Sequence, residues 1–293
     1  MTAKRREAIT GWLFASPWVI GFSVFLLYPL AASVYYSLCD YSVLRPPVYV
    51  GMDNYRNLIA DALFWTSLKN TAIYAILVFP ATLIASLAIA LLLNTKVKGM
   101  SFYRTIFFIP SLVPVVSSSV LWMWLLNNEY GLINQLIGLT GIQGPNWMAS
   151  TFWSKPALVL MAIWGVGNAV VIYLAGLQDV PVQLYEAAEL DGARPWRKTW
   201  HITLPMLSPV ILFNGIMGII GTLQVFVQPY IMFPDGAPAR STYMYTMYLY
   251  DNAFRFHKMG YASAMGWILF ILIFVLTMFA LRTTEKKVHY GGG

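Results

Sequence analysis

The charged residues of this chain are separated by long apolar stretches, and these stretches predict membrane-spanning helices. Each is close to or longer than the roughly 20 apolar residues that a helix needs to cross a bilayer. The predicted spans are residues 11–38, 70–94, 105–127, 156–178, 206–230 and 260–282. Because a spanning segment must satisfy its own backbone hydrogen bonds, we expect an all-α integral membrane protein with one transmembrane domain over residues 1–293.

The basic residues are distributed unevenly between the two sides of these six spans. If the N-terminus is cytoplasmic, 12 of the 19 Lys and Arg residues fall on the cytoplasmic side. Cytoplasmic loops of membrane proteins carry such an excess. The asymmetry therefore predicts that both termini and the polar stretch 180–205 are cytoplasmic.

Composition supports a membrane protein and narrows the possible chemistry. The chain is 58% hydrophobic, 16% aromatic and only 11% charged, which is too apolar for an average soluble domain. The net charge of +7 is explained by topology, so nucleic acid is not an expected partner. The single cysteine, Cys39, excludes an intrachain disulfide.

Residues 180–205 interrupt the apolar pattern and predict two short helices around a turn. Pro181 suits the first position of a helix, and Gly192 supplies the left-handed residue that ends it. Pro195 begins a second helix, and Pro205 disfavours helical geometry at the residue before it. The stretch therefore predicts a helix-elbow-helix unit that projects from the membrane.

The first of these two helices has the features of a protein-docking surface. Ala187 and Ala188 carry small side chains, so another protein's backbone can approach closely. Glu186 and Asp191 offer carboxylates to basic groups on that partner. This combination favours protein binding over catalysis.

The spacing in this stretch resembles the EAA loop of binding-protein-dependent ABC importer permeases. The matching residues are Glu186, Ala187, Ala188, Asp191, Gly192, Ile202, Leu204 and Pro205. The resemblance implies that the loop is the coupling helix that sits in a groove of a cytoplasmic ATPase subunit. The alternative is an ordinary amphipathic helix-turn-helix at the membrane interface.

Other stretches resemble the carbohydrate-uptake branch of that family, which includes maltose, multiple-sugar and glycerol-3-phosphate permeases. They include GMDNY at 51–55, YRTIFFIP at 103–110 and GYASA at 260–264. The resemblance implies a type I ABC importer permease fold with six transmembrane helices. It also implies import of a mono-, di- or oligosaccharide that an extracytoplasmic solute-binding protein delivers, with glycerol-3-phosphate or a polyol as the alternative substrate.

The same resemblance implies partners in a bacterial or archaeal cytoplasmic membrane. These are a second homologous permease that completes a heterodimer, two ABC ATPase subunits and the solute-binding protein. The chain has no G-x-x-x-x-G-K-[ST] motif, so ATP and Mg are expected on the ATPase subunits and no cofactor or metal on this chain. No catalytic residues are expected.

An ion-coupled secondary carrier and a membrane enzyme are the alternative classes. The acidic residues all fall near or beyond the ends of the predicted spans, which disfavours an ion-coupled carrier. The three histidines are far apart and none lies in an H-E-x-x-H motif, so zinc-peptidase chemistry has no support.

A neutral, hydroxyl-rich solute needs amide, hydroxyl and aromatic partners, and two predicted spans carry such groups. The candidates are Gly167 and Asn168 in the fourth span, and Thr222, Gln224, Phe226, Gln228 and Tyr230 in the fifth. The family resemblance implies sugar contacts from these same two spans. Alternatively, the glycine permits close helix packing and the amides hydrogen-bond across helices.

Overall fold

A computed structural model describes residues 3–95 and 97–285 of the chain, and within them the structure is almost entirely helical. The helices are α1 (Ala3–Phe22), α2 (Tyr28–Ser37), α3 (Asp53–Ala60), α4 (Ala62–Leu93), α5 (Met100–Leu112), α6 (Val115–Leu125), α7 (Leu132–Gly138), α8 (Ser154–Trp164), α9 (Gly167–Gln178), α10 (Val182–Leu190), α11 (Pro195–Lys198), α12 (Leu204–Met206), α13 (Ser208–Leu223), α14 (Val227–Met232), α15 (Tyr245–Tyr250) and α16 (Met259–Glu285). Short π-helical segments occupy Ser23–Leu27, Thr199–Thr203 and Asp251–Arg255, and a 3₁₀ turn occupies Pro234–Gly236. The ends of the predicted 1–293 domain and Lys96 lie outside the described residues.

Four helical runs in the described part of the chain are long and apolar enough to cross a membrane. They are Ile9–Ser37, Ala62–Leu93, Ser208–Met232 and Met259–Thr284. Two bent pairs, α5 with α6 and α8 with α9, pass the same test when each pair is taken as one span. The six segments lie at the positions of the six predicted spans.

The two bent pairs differ from the straight spans that an uninterrupted apolar pattern suggests. Helices α5 and α6 meet at 100°, and α8 and α9 meet at 46°. Val113 lies in extended geometry (φ −73°, ψ 128°) because it precedes Pro114, whose ring disfavours helical geometry at that position. The break between α8 and α9 falls at Gly165 and Val166, whose ψ angles of 9° and 1° lie outside the helical range.

The chain divides into two compact units. The first contains the chain up to Ala62 together with Leu249–Ile271. In this unit β1 (Cys39–Asp40) pairs antiparallel with β2 (Val48–Tyr49). The side chain of Asn54 donates hydrogen bonds to the carbonyls of Ser37 and Cys39, at 2.9 and 2.8 Å, and so satisfies backbone acceptors where α2 ends.

The second unit contains Leu63–Tyr248 and the part of α16 from Leu272 onwards. Its core lies between α4, α9 and the start of α13. The buried residues of this core are Ala90, Leu93, Val166, Val170, Tyr173, Leu174, Leu177 and Leu207. The guanidinium of Arg104 donates to the carbonyl of Leu93 at 3.1 Å, which caps the C-terminal end of α4.

Candidate coupling loop and solute cavity

Helix α10 ends in a Schellman motif. Gly192 has a left-handed φ of +73°, and its N–H donates to the carbonyl of Glu189 at 3.0 Å. The N–H of Ala193 donates to the carbonyl of Ala188 at 2.9 Å. These two bonds satisfy carbonyls that the helix end leaves without partners, and they require a residue that tolerates positive φ. The predicted left-handed stop at Gly192 is confirmed.

Helical structure beyond this elbow does not stop at Pro205. Helical segments follow one another from Pro195 to Leu223, with a break at Leu207 (φ −80°, ψ −4°), and Leu204 itself is helical (φ −64°, ψ −44°). The predicted helix end before Pro205 is therefore wrong. Leu204 donates to the carbonyl of Thr199 in the pattern of a π turn. This widened turn accommodates the proline ring and its missing N–H within the helix.

Two side-chain contacts connect the helices on either side of the elbow. The ammonium of Lys198 lies 2.6 Å from a carboxylate oxygen of Glu189. The hydroxyls of Tyr185 and Thr203 are 2.9 Å apart and hydrogen-bonded. The hydrogen bond and positive charge from Lys198 hold the pKa of Glu189 below its usual value. The sequence does not predict these two contacts, because they depend on the angle between the helices at the elbow.

Apolar side chains are exposed on this loop. Leu190, directly before the elbow, is 91% exposed, and Trp196 and Trp200 are 70% and 51% exposed. The predicted docking residues Glu186, Ala187, Asp191 and Gly192 are exposed, while Ala188, Ile202, Leu204 and Pro205 are half-buried. The rings of Trp196 and Trp200 are in edge contact, with centroids 5.5 Å apart. Exposed apolar patches mark sites that bind another protein or the membrane.

The run of helical segments ends beside a cavity of about 400 Å³. Four of the predicted solute-pathway residues line this central cavity: Thr222, Gln224, Phe226 and Gln228. Tyr74 and Thr82 of α4 are also in its lining. Lining residues from α4 therefore face those of the predicted fifth span across this cavity.

The predicted fifth span is broken at the cavity. Helix α13 ends at Leu223, and Phe226 (φ −136°, ψ −59°) is not helical. The hydroxyl of Thr246 donates a hydrogen bond to the carbonyl of Val225, so part of the freed backbone is satisfied by a side chain. Irregular backbone within a membrane span is tolerated where it lines a cavity or is buried in protein.

The remaining three predicted pathway residues lie elsewhere. Tyr230 is not in the lining of the central cavity, and its ring stacks on Phe226 with centroids 4.9 Å apart. Asn168 lines a different cavity of about 300 Å³. Gly167 is buried against α5, where an added Cβ would lie 2.8 Å from the carbonyl oxygen of Phe107. Gly167 permits close packing of α9 on α5, which is the alternative role that its sequence context left open. Its solute contact stays a prediction.

The fold and the exposed elbow define a membrane permease of the ABC importer type. The chain belongs to the family described as binding-protein-dependent transport system inner membrane component, whose model matches residues 81–290. Its members are transport subunits, so the chain is not itself an enzyme.

Two relatives match over nearly the whole chain. The probable ABC transporter permease protein YesP of Bacillus subtilis (strain 168) is 35% identical over 290 residues, covering 98% of this chain and 94% of that protein. The lactose transport system permease protein LacF of Rhizobium radiobacter is 33% identical over 290 residues, covering 97% of both chains.

A solved structure shares the fold. A chain of the bacterial alginate ABC transporter, in complex with an alginate pentasaccharide-bound periplasmic protein, superposes with a TM-score of 0.84. It is 22% identical, and the match covers 97% of this chain and 96% of that chain.

Proposed function

We propose that this chain is the permease subunit of an importer that translocates a neutral mono-, di- or oligosaccharide delivered by an external solute-binding protein. The observation that carries this proposal is the run of helical segments from Pro195 to Leu223, which has a break at Leu207. One end of the run adjoins the exposed elbow and the other adjoins the central cavity. A movement of the elbow is therefore transmitted to the cavity through these segments.

The proposed assembly contains two ABC ATPase subunits and a second homologous permease that completes a heterodimer. Because the chain has no phosphate-binding loop motif, ATP and Mg are held by the ATPase subunits. The excess of Lys and Arg supports an orientation in which both termini and the elbow are cytoplasmic. In this orientation Leu190 and the small face at Ala187 and Ala188 are available to an ATPase groove.

The chemistry of the central cavity supports a neutral, hydroxyl-rich solute. The residues in its lining offer two amides, two threonine hydroxyls, one tyrosine hydroxyl and aromatic rings, and none of them is charged. Such groups bind sugar hydroxyls and the apolar faces of sugar rings. The absence of a cation from this lining disfavours glycerol-3-phosphate, whose phosphate would require a positive partner.

ATP binding is proposed to close the ATPase dimer and to draw the elbows of the two permeases together. The helical run then tilts, and the central cavity changes from one side of the membrane to the other. Transport requires that the loaded binding protein and ATP favour the same conformation of the permease pair. The chain thus makes no covalent change to the solute. It couples ATP binding to the docking of the loaded binding protein.

The test is ATP hydrolysis by the complete importer in nanodiscs, with the binding protein and a panel of sugars, polyols and glycerol-3-phosphate. We expect a neutral sugar to stimulate hydrolysis above the level with unloaded binding protein. Stimulation by glycerol-3-phosphate alone would overturn the proposed substrate class. A complex that no solute stimulates would contradict the importer proposal itself.

A further inference from the structure

A cavity between α4, α13 and the end of α16 has an apolar lining. Its volume is about 520 Å³, and among the described residues that line it the polar ones are Thr222, Thr283 and Thr284. The hydroxyls of Thr222 and Thr283 each donate to a carbonyl of their own helix at 2.8 Å. This cavity, which we call the lateral groove, therefore offers few polar groups to a sugar and suits a hydrocarbon ligand.

The lateral groove opens on the outer surface of the spans. Ile76 of α4 and Phe279 of α16 lie in its lining and are exposed. On α13, a Cβ added to Gly215 would meet no atom within 4 Å. The absence of a side chain at Gly215 therefore leaves open space between apolar side chains, and exposed apolar surface on a membrane span faces lipid.

The dimensions of the lateral groove match one lipid tail. Its lining on α13 runs from Ile211 to Leu223, a length of about 18 Å at 1.5 Å per residue, and one leaflet of the hydrocarbon core is about 15 Å thick. The volume spread over this length gives a mean cross-section of about 30 Å², whereas a helix about 10 Å across fills about 80 Å². The groove is therefore too narrow for a helix of a partner protein and admits a single hydrocarbon chain.

Basic residues lie where the lateral groove ends on α16. The last lining residue on this helix is Thr284, and Arg282 in the same turn is exposed. Residues 282–287 read RTTEKK and so carry three cations against one carboxylate. Long basic side chains near the end of a span reach the membrane interface, where they attract anionic headgroups. The charge at this end therefore complements an anionic phospholipid.

We propose that the lateral groove binds one tail of an anionic phospholipid from the cytoplasmic leaflet, with the lipid phosphate at Arg282. The assignment to this leaflet rests on the proposed function, whose orientation makes the C-terminal end of α16 cytoplasmic. The tail fills the open space beside Gly215. The guanidinium of Arg282 donates hydrogen bonds to phosphate oxygens of the headgroup.

The test measures lipid binding to the complete importer by native mass spectrometry, after delipidation and titration with phosphatidylglycerol or phosphatidylcholine. We expect the wild-type importer to bind phosphatidylglycerol more tightly than phosphatidylcholine. Gly215→Leu places an apolar side chain in the open space and should weaken binding of both lipids at least about tenfold. Leucine favours a helix more than glycine does, so this variant should fold.

Gly21→Leu is the matched control. Gly21 also lies in a candidate span, and a Cβ there would meet no atom within 4 Å, but Gly21 is not in the lining of the lateral groove. The control should bind both lipids as the wild type does. Arg282→Gln tests the headgroup contact, because the loss of one cation should weaken binding of phosphatidylglycerol about fivefold and leave phosphatidylcholine unchanged.

Wild-type binding of both lipids by Gly215→Leu would overturn the lateral groove as a lipid site. Equal affinities of the wild-type importer for the two lipids would overturn the anionic ligand. Loss of the second permease from Gly215→Leu, with lipid binding unchanged, would show that a protein covers the groove and would overturn the proposal. Failure of the proposed function is distinguishable, because lipid binding is measured without solute or ATP.

Discussion

Within the elbow, the backbone conformation at Gly192 restricts the residue type most strongly. Its φ of +73° closes the Schellman motif, and a Cβ there would meet no atom within 4 Å. Conformation, and not space, therefore selects glycine at this position. A β-branched residue in this geometry costs about 1–2 kcal/mol, whereas asparagine tolerates it.

We predict that Gly192→Val lowers the amount of sugar imported per ATP hydrolysed. The valine favours a different exit from α10, so ATPase closure no longer moves the helical run by the same amount. Uptake and ATP hydrolysis are measured in parallel in proteoliposomes. Gly192→Asn is the control and should remain close to wild type, and unchanged coupling in the valine variant would exclude this role for the elbow.

Residues in this loop were predictable from the sequence to different extents. The left-handed stop at Gly192 follows from a good helix sequence that ends in glycine, which is a local signal. The pairing of Lys198 with Glu189 joins residues nine positions apart across a turn. No local pattern specifies that distance, because it depends on the angle between two helices.

At the level of elements, the contact between α9 and α5 depends on a residue without a side chain. A Cβ at Gly167 would lie 2.8 Å from the carbonyl oxygen of Phe107 and 2.9 Å from the hydroxyl of Ser111. The backbone oxygen cannot move without displacing α5. The two helices are therefore held at a spacing that only glycine permits.

We predict that Gly167→Ala lowers the free energy of unfolding by about 1–3 kcal/mol, the usual cost of overpacking. Thermal unfolding of the purified permease pair measures the effect. Gly165→Ala is the matched control two residues away, because a Cβ there would be 3.7 Å from the closest atom. If both variants unfold at the wild-type temperature, α9 and α5 are farther apart than the 2.8 Å contact at Gly167 requires.

The apolar pattern located these elements but did not predict their bends. Two prolines show why the bends could not be predicted from this pattern. Pro114 coincides with the 100° bend between α5 and α6, whereas Pro205 lies inside helix α12. A π turn at Thr199–Thr203 accommodates Pro205, and that turn has no signature in the hydrophobic pattern. The break at Gln224–Phe226 is similarly hidden within an uninterrupted apolar segment.

At the scale of the whole molecule, the exposed leucine at the elbow is a candidate contact for the proposed ATPase subunit. Leu190 is 91% exposed, more than other large apolar side chains in the described part of the chain. Burying a leucine side chain on assembly contributes about 1.5–3 kcal/mol. The sequence predicts docking by Glu186, Ala187, Ala188 and Asp191 and gives no local signal for Leu190.

We predict that Leu190→Asp weakens binding of the ATPase subunit at least about tenfold, because a charge would be buried at the interface. Co-purification from detergent, followed by a titration of the ATPase in nanodiscs, measures this loss. Leu139→Asp is the control, since Leu139 is 83% exposed at the end of α7, outside the elbow. Equal ATPase binding by the two variants would remove Leu190 from the interface.

The class of the molecule, an ABC importer permease, was predictable because the EAA-like spacing and the charge asymmetry can both be read directly from the linear sequence. The identity of the sugar was not, because the cavity lining is assembled from α4, α6, α13, α14 and the break between the last two helices.

The most direct test of the account is uptake of radiolabelled sugar into proteoliposomes that contain the complete importer, with binding protein outside and ATP inside. The importer proposal predicts uptake that requires both ATP and the binding protein. An ion gradient should not substitute for ATP. Uptake driven by an ion gradient without ATP would show that the chain is a secondary carrier and would contradict the account.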